Sequence, residues 1–200
     1  HKATVRYTFH NSQDYVLISN SASAGFGNRI NANSMSFKNS GYLIQDNTRS
    51  IVAELNSTFG GKSANNFIIG YDYQNEDRAY AGAMFPTIDI LQNNQTYMSV
   101  GFDPFTPSNK LNYGTFHITD NYTLFKGKHT FTLGANYENY KSNNLFFPAS
   151  NGVWVFNSLA DFYSSANGNK DVTVNLFQYR YSALEGGAEP LQVLKVNKFD

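Results

Sequence analysis

The stretch Phe125–Tyr140, FKGKHTFTLGANYENY, alternates. Beyond the polar turn Lys126-Gly127-Lys128, Phe131, Leu133, Ala135 and Tyr137 fall on one side, and Thr130, Thr132, Gly134, Asn136 and Glu138 on the other. A period of two residues predicts a strand with one apolar and one polar face. The same period recurs in Lys2–His10, where Ala3, Val5, Tyr7 and Phe9 oppose Thr4, Arg6 and Thr8. It recurs again in Ser50–Phe59, in Asn66–Arg78 (Phe67, Ile69, Tyr71, Tyr73) and in Leu111–Phe125 (Phe116, Ile118, Tyr122, Leu124). Leu191–Phe199 reads as the start of another strand, and no long stretch has helical period. About six strands are expected.

Their connections alternate between short and long. GGKSANN joins Phe59 to Phe67 and KGK joins Phe125 to His129, whereas Asn11–Asn39, Ala79–Lys110 and Ser142–Pro190 are long. Compact soluble domains rarely carry several loops beyond about 15 residues. Transmembrane barrels do so regularly, with tight turns on one rim and long loops on the other. Strand length agrees: a membrane strand needs about 9–11 residues, a length that Asn66–Arg78 and Thr130–Lys141 reach. In the last long loop, Val153–Phe156 is expected as a short strand. Asn157 or Ser158 then caps a brief helix, Leu159–Ala166, that ends before Asn167-Gly168. Asp171–Ser182 is a further candidate strand.

Composition sharpens this. Aromatic residues make up 16% of the chain and charged residues only 15%, against a usual charged share of about 25%. Aromatic rings at interfaces and neutral polar groups in a lumen account for both. Formal charge is zero, so no basic footprint for nucleic acid exists. There is no cysteine, hence no disulfide frame or Cys-based metal site. The first residues, HKATVRY, include neither an initiator Met nor a signal peptide, and read as a mature chain or a piece of a larger one.

Candidate chemistry is sparse. His1, His10, His117 and His129 have no ligand spacing, so no metal site is expected. No GxSxG, P-loop or dinucleotide fingerprint is present. Neither an enzyme nor a cofactor is expected. The row Asp72, Gln74, Glu76 and Arg78 is expected to face a lumen, either touching solute or serving as ordinary wall lining. Trp154, Phe156, Phe162 and Tyr163 belong to the densest apolar cluster outside the strands, either a ligand-stacking platform or a small core for the loop. Asp120 breaks the apolar alternation, which suggests a bulge or a position near the turn-side rim.

The ordered motifs DNYTLFKGKHTFTLGANYE (Asp120–Glu138), FNSLADFYSSANG (Phe156–Gly168) and YSALEGGAEPLQVLKVNKF (Tyr181–Phe199) resemble Oar-like TonB-dependent receptors of Bacteroidetes outer membranes. Asn39–Arg78 and FPTIDI (Phe85–Ile90) fit the same family, so the resemblance spans roughly Asn39 to Asp200. It implies a barrel of about 22 strands with a plugged lumen, energised by the TonB complex and importing an unidentified ligand through the bacterial outer membrane. Residues 1–200 then form part of an all-β, antiparallel transmembrane β-barrel, about six strands with long extracellular loops holding a short helix. The plug and remaining strands are absent. Expected partners are outer-membrane lipid, the protein's own plug and remaining strands, the TonB complex and the imported ligand. The rival reading is a secreted β-sandwich that binds carbohydrate or acts as an adhesin, burying Phe131, Leu133 and Ala135 in a core.

Overall fold

A computed structural model describes every residue, His1–Asp200. In chain order its strands are β1 (Lys2–Val16), β2 (Met35–Ser36), β3 (Tyr42–Phe59), β4 (Ser63–Ala79), β5 (Thr87–Gln92), β6 (Gln95–Val100), β7 (Asn109–Lys126), β8 (His129–Phe146), β9 (Val153–Phe156), β10 (Leu176–Gln178) and β11 (Gln192–Phe199). The one α-helix, α1, is Leu159–Ala166. The protein is all-β.

The six long alternating segments form one antiparallel sheet in the order β1-β3-β4-β7-β8-β11. β1 and β11 lie at its edges, so the sheet is open and does not close into a barrel. Tight turns at Gly60–Lys62 and Gly127–Lys128 mark one end, and long loops leave the other. Gly127, at φ 63, supplies the left-handed residue that its turn needs. β1, β3 and β8 run further toward the loop end than the alternation predicts. There both faces become polar (Asn47 beside Asp46 on β3, Asn143 beside Asn144 on β8), so period-two contrast vanishes while the backbone ladder continues.

Register places the alternating apolar residues of β1, β3, β4, β7 and β8 on a common side, while Val52 and Ile68 fall on the other. Residues directly opposite in an antiparallel pair share a face. Ala3 faces Leu55, Leu55 faces Phe67, Phe67 faces Asp120, and Asp120 faces Ala135. Nothing in the chain covers this side: Leu133 is 80% exposed, Val5 71% and Phe131 57%. On the other side Gly70 leaves room for the His117 ring and Gly134 for the Asn121 amide.

The apolar band slants across the sheet. Following the register from β1 to β8, Ala3 aligns with Ala135 and Phe9 with Lys141. The band of β8 itself runs from Phe131 to Tyr137. It has therefore slipped by four residues, Ala135 to Phe131, over the four steps between β1 and β8. Asp120 lies inside this band, between Tyr122 and Ile118, which corrects both expectations for it. The β7–β8 ladder is unbroken from Asn109 to Lys126, so there is no bulge, and the residue is central in its strand's band. The Asn65 amide donates to its Oδ1 at 2.6 Å.

The three long loops fold together into a cap, which the sequence reading left as separate connections. Their strands form a second, mixed sheet in the order β10-β9-β5-β6-β2, with β5–β9 and β2–β6 parallel. The β5–β6 hairpin turns at Asn93 and Asn94, both left-handed at φ 54 and 60, as a two-residue type I′ connection requires. Asp171–Ser182 contributes only β10. Phe26, Phe105, Ala149, Val153 and Val155 make the buried core, drawn from all three loops. Of the ten buried hydrophobic residues, only Leu145 belongs to the large sheet.

A buried ion pair ties the first loop to the second. Arg29 Nε and Nη2 donate to the Asp89 carboxylate at 2.9 and 2.8 Å, and Nη1 donates to the Ser19 carbonyl at 3.0 Å. Ser99 Oγ also donates to Asp89, and the Asp103 carboxylate accepts from the Ser19 amide. Removing one charge strands the other in a dry site, at a cost of about 3–5 kcal/mol. Arg29→Met or Asp89→Leu alone is expected to raise proteolytic cleavage of the cap sharply. The double substitution should cost less than either single one, as read by limited proteolysis or amide exchange.

Candidate functional site

The cap's mixed sheet turns one side toward its core and the other toward α1. Trp154 and Phe156 of β9 lie beside Ile88 and Ile90 of β5 in parallel register, and Phe177 of β10 lies opposite Trp154. Of the two expected caps, Asn157 and Ser158, it is Ser158 that caps α1: its hydroxyl accepts from the Asp161 amide at 3.1 Å and donates to the Asp161 carboxylate at 2.7 Å. The helix is short and covers only part of the sheet. Phe156 is buried under it.

What α1 leaves uncovered is a cavity of about 230 Å³ lined by Phe85, Pro86, Ile88, Trp154, Phe156, Phe162, Ser165 and Ala166. Its rings are set by neighbours. The Trp154 and Phe177 centroids are 4.2 Å apart, Trp154 and Phe156 are nearly parallel at 15°, and Phe156 meets Phe162 edge-on at 79°. Offset and edge-on arrangements are those the aromatic quadrupole favours. The structure therefore brings together Trp154, Phe156 and Phe162. Tyr163 does not line the cavity: it stands on the outer side of α1, 57% exposed. Phe85, Pro86, Ile88 and Phe177 were missed. The signal was present in Ile88 and Ile90 alternating ahead of the Asn93-Asn94 turn.

The cavity has no charged lining residue, and none of its polar side-chain atoms is buried without a partner. It asks for no hydrogen bond. A hollow of this size and chemistry has room for an uncharged ring, since roughly 150 Å³ of apolar space is enough for benzene. A sugar stacked there would find no polar side chain on the lining other than Ser165 to hold its inward hydroxyls.

Asp72, Gln74, Glu76 and Arg78 occupy the polar side of the large sheet and are joined to neighbouring strands. Gln74 donates to Asp46 at 2.8 Å and accepts from the Tyr113 hydroxyl at 2.6 Å. Asp72 Oδ2 lies 3.5 Å from His117 Nδ1. Glu76 stands directly opposite Asp46. Arg78 differs, for its Nε and Nη1 are buried without a hydrogen-bond partner.

A second hollow, about 610 Å³, opens where β1, β3 and β4 leave the large sheet, lined by Tyr15, Leu43, Tyr42 and Tyr80 among others. The Tyr80 hydroxyl donates to the Thr106 carbonyl, and burial pushes its pKa up to about 12, with the Asp103 carboxylate adding to the rise. Burial raises Tyr42 as well. The Tyr80 hydroxyl stays a neutral donor at any ordinary pH.

The chain matches no protein family, no curated protein and no solved structure. Trp154 is its only tryptophan, so intrinsic fluorescence reads the cavity directly. Toluene is expected to shift Trp154 emission saturably, and Ser165→Phe, which fills the cavity, should abolish the shift. Methyl glucoside should leave the emission unchanged.

Proposed function

We propose that the chain forms part of the wall and outer cap of a β-barrel in a bacterial outer membrane, belonging to a TonB-dependent uptake receptor. The slanting apolar band carries this reading. A slip of four residues in four strand-to-strand steps is about one residue per step. With a rise of about 3.4 Å and a strand spacing of about 4.8 Å, a level band demands strands inclined by roughly 35°. Barrel strands tilt by about 35–45°. The band on β7, from Leu124 to Phe116, spans nine residues, or roughly 22 Å of height at that inclination, near the ~25 Å apolar belt of outer-membrane barrels.

Other features support the same reading. Tyr7, Tyr71, Tyr73 and Tyr137 stand at the loop-side edge of the band, and Phe59 and Phe131 at the turn side, as aromatic girdles do. Long loops at one end and tight turns at the other fit the outer and periplasmic rims. The sandwich reading needs the Phe131, Leu133 and Ala135 side packed in a core, and that side is bare.

In this reading the cap meets the ligand first and holds an apolar ring of it beside Trp154. The polar side, with Asp72, Gln74, Glu76 and Arg78, lines the passage. The free edges of β1 and β11 pair with the remaining strands. A plug moved by the TonB complex, as the family resemblance implies, opens the path, and no covalent bond is made or broken.

The chain contains no native thiol, so single cysteines report their surroundings cleanly. In outer membranes of an expressing host, Leu133→Cys is expected to resist a water-soluble maleimide and couple to a bilayer-soluble one. Glu138→Cys should react with the water-soluble reagent. Equal aqueous labelling of both would contradict the membrane wall.

A further inference from the structure

One carboxylate interrupts the apolar band. On β7 the band runs Leu124, Tyr122, Asp120, Ile118, Phe116, so Asp120 holds its middle position. The residue is exposed and belongs to no ion pair. Only its Oδ1 accepts a hydrogen bond, from the Asn65 amide, which also donates to the Asn121 carbonyl at 3.3 Å and is thereby held in place. Ala135, directly opposite on β8, is the smallest side chain of that strand's band and leaves the approach from β8 open.

No cation of the chain can answer this charge. On this side of the strands, Lys126 lies six residues toward the turn. Gly114, six residues toward the loops, shares its row with Arg49, Lys141 and Lys195. Six residues of strand are about 20 Å, beyond the combined reach of the side chains. Further strands of the same barrel do not help either. β4 and β8 flank β7, so strands added at β1 or β11 cannot come over Asp120. A second copy is equally unsuited. Copies in one bilayer are related by rotation about its normal, which preserves depth. Near the depth of Asp120 the neighbouring strands carry Phe67, Ile69, Leu133 and Ala135. A copy therefore offers apolar side chains or its own Asp120, and two carboxylates sharing a site repel.

We infer that Asp120 is the contact point for a different membrane protein, one whose spanning segment carries an arginine or lysine at mid-depth. Ionisable groups within a membrane pair with one another, because hydrocarbon supplies neither charge nor hydrogen bond. Asn65 fixes one oxygen of the carboxylate, and Oδ2 receives the partner's cation in a charge-assisted hydrogen bond. The apolar residues around the pair exclude water and strengthen it. The inference rests on the membrane reading above and adds to it a partner of stated chemistry and a place on the wall.

The test places the chain in phosphatidylcholine vesicles with a donor dye on Lys128→Cys. Two synthetic leucine–alanine spanning helices carry the acceptor dye, one with arginine at its midpoint and one with leucine there. Saturable energy transfer is expected at about tenfold lower density of the arginine helix than of the leucine helix. Asp120→Asn, which keeps the acceptor for Asn65 and loses the charge, should erase that preference, and Asp120→Glu should retain it. Equal transfer to both helices overturns the inference, as does a preference that survives Asp120→Asn. Transfer between two labelled copies that Asp120→Asn abolishes overturns it as well, in favour of self-association. A chain that does not enter the vesicles overturns the membrane reading itself, a result distinct from insertion without preference.

Discussion

The six long strands are held by their backbone ladders, because neither side of their sheet has a layer packed on it. Of 119 backbone hydrogen bonds, 95 lie within regular strands and the helix, and the buried hydrophobic core sits almost wholly in the cap. A sheet built this way has its apolar side facing whatever solvent surrounds it. In water, that side would lose the burial that normally offsets chain ordering, at about 25 cal/mol per Å² of apolar surface. In hydrocarbon the same side is satisfied, and saturated backbone pairing becomes the dominant requirement. On the membrane reading proposed above, the band's slope, its height and its aromatic edges follow from one condition, that the band lie level in the bilayer.

The cap obeys different physics. It is a small mixed sheet with a real core, stitched by Arg29–Asp89 and by the Asp103 carboxylate, and drawn from three loops that are distant in sequence. This rigid platform holds Trp154, Phe156 and Phe162 around an apolar cavity at the loop end of the sheet. Above the band the same side of the sheet carries Arg49, Lys141 and Lys195, then a row of asparagines over five strands, Asn11, Asn47, Asn75, Asn112 and Asn143. Apolar band, polar rows and cap succeed one another toward the loops, the order that the proposed membrane reading requires.

Much of this was legible in the residues. Period-two alternation located β1, β3, β4, β7 and β8, because an apolar side against a polar side is the strongest local signal. Ser158 and the run to Ala166 located α1. What escaped was set by pairing between distant segments. The strand extensions lie where Asp46 beside Asn47 and Asn143 beside Asn144 erase the contrast. The β5–β6 hairpin hid in a loop read as one piece, although Asn93-Asn94 marked its turn. Arg29 and Asp89 are 60 residues apart, and the asparagine row exists only once five strands are in register. Tyr163, close in sequence to Phe162, points elsewhere because neighbours on a helix face different ways.

Polarised infrared spectroscopy of the protein in oriented bilayers measures the mean strand inclination directly. A value of about 35–45° from the bilayer normal is the expected result. Strands lying in the bilayer plane, or an isotropic signal from protein resting outside it, would contradict a wall whose oily side meets lipid.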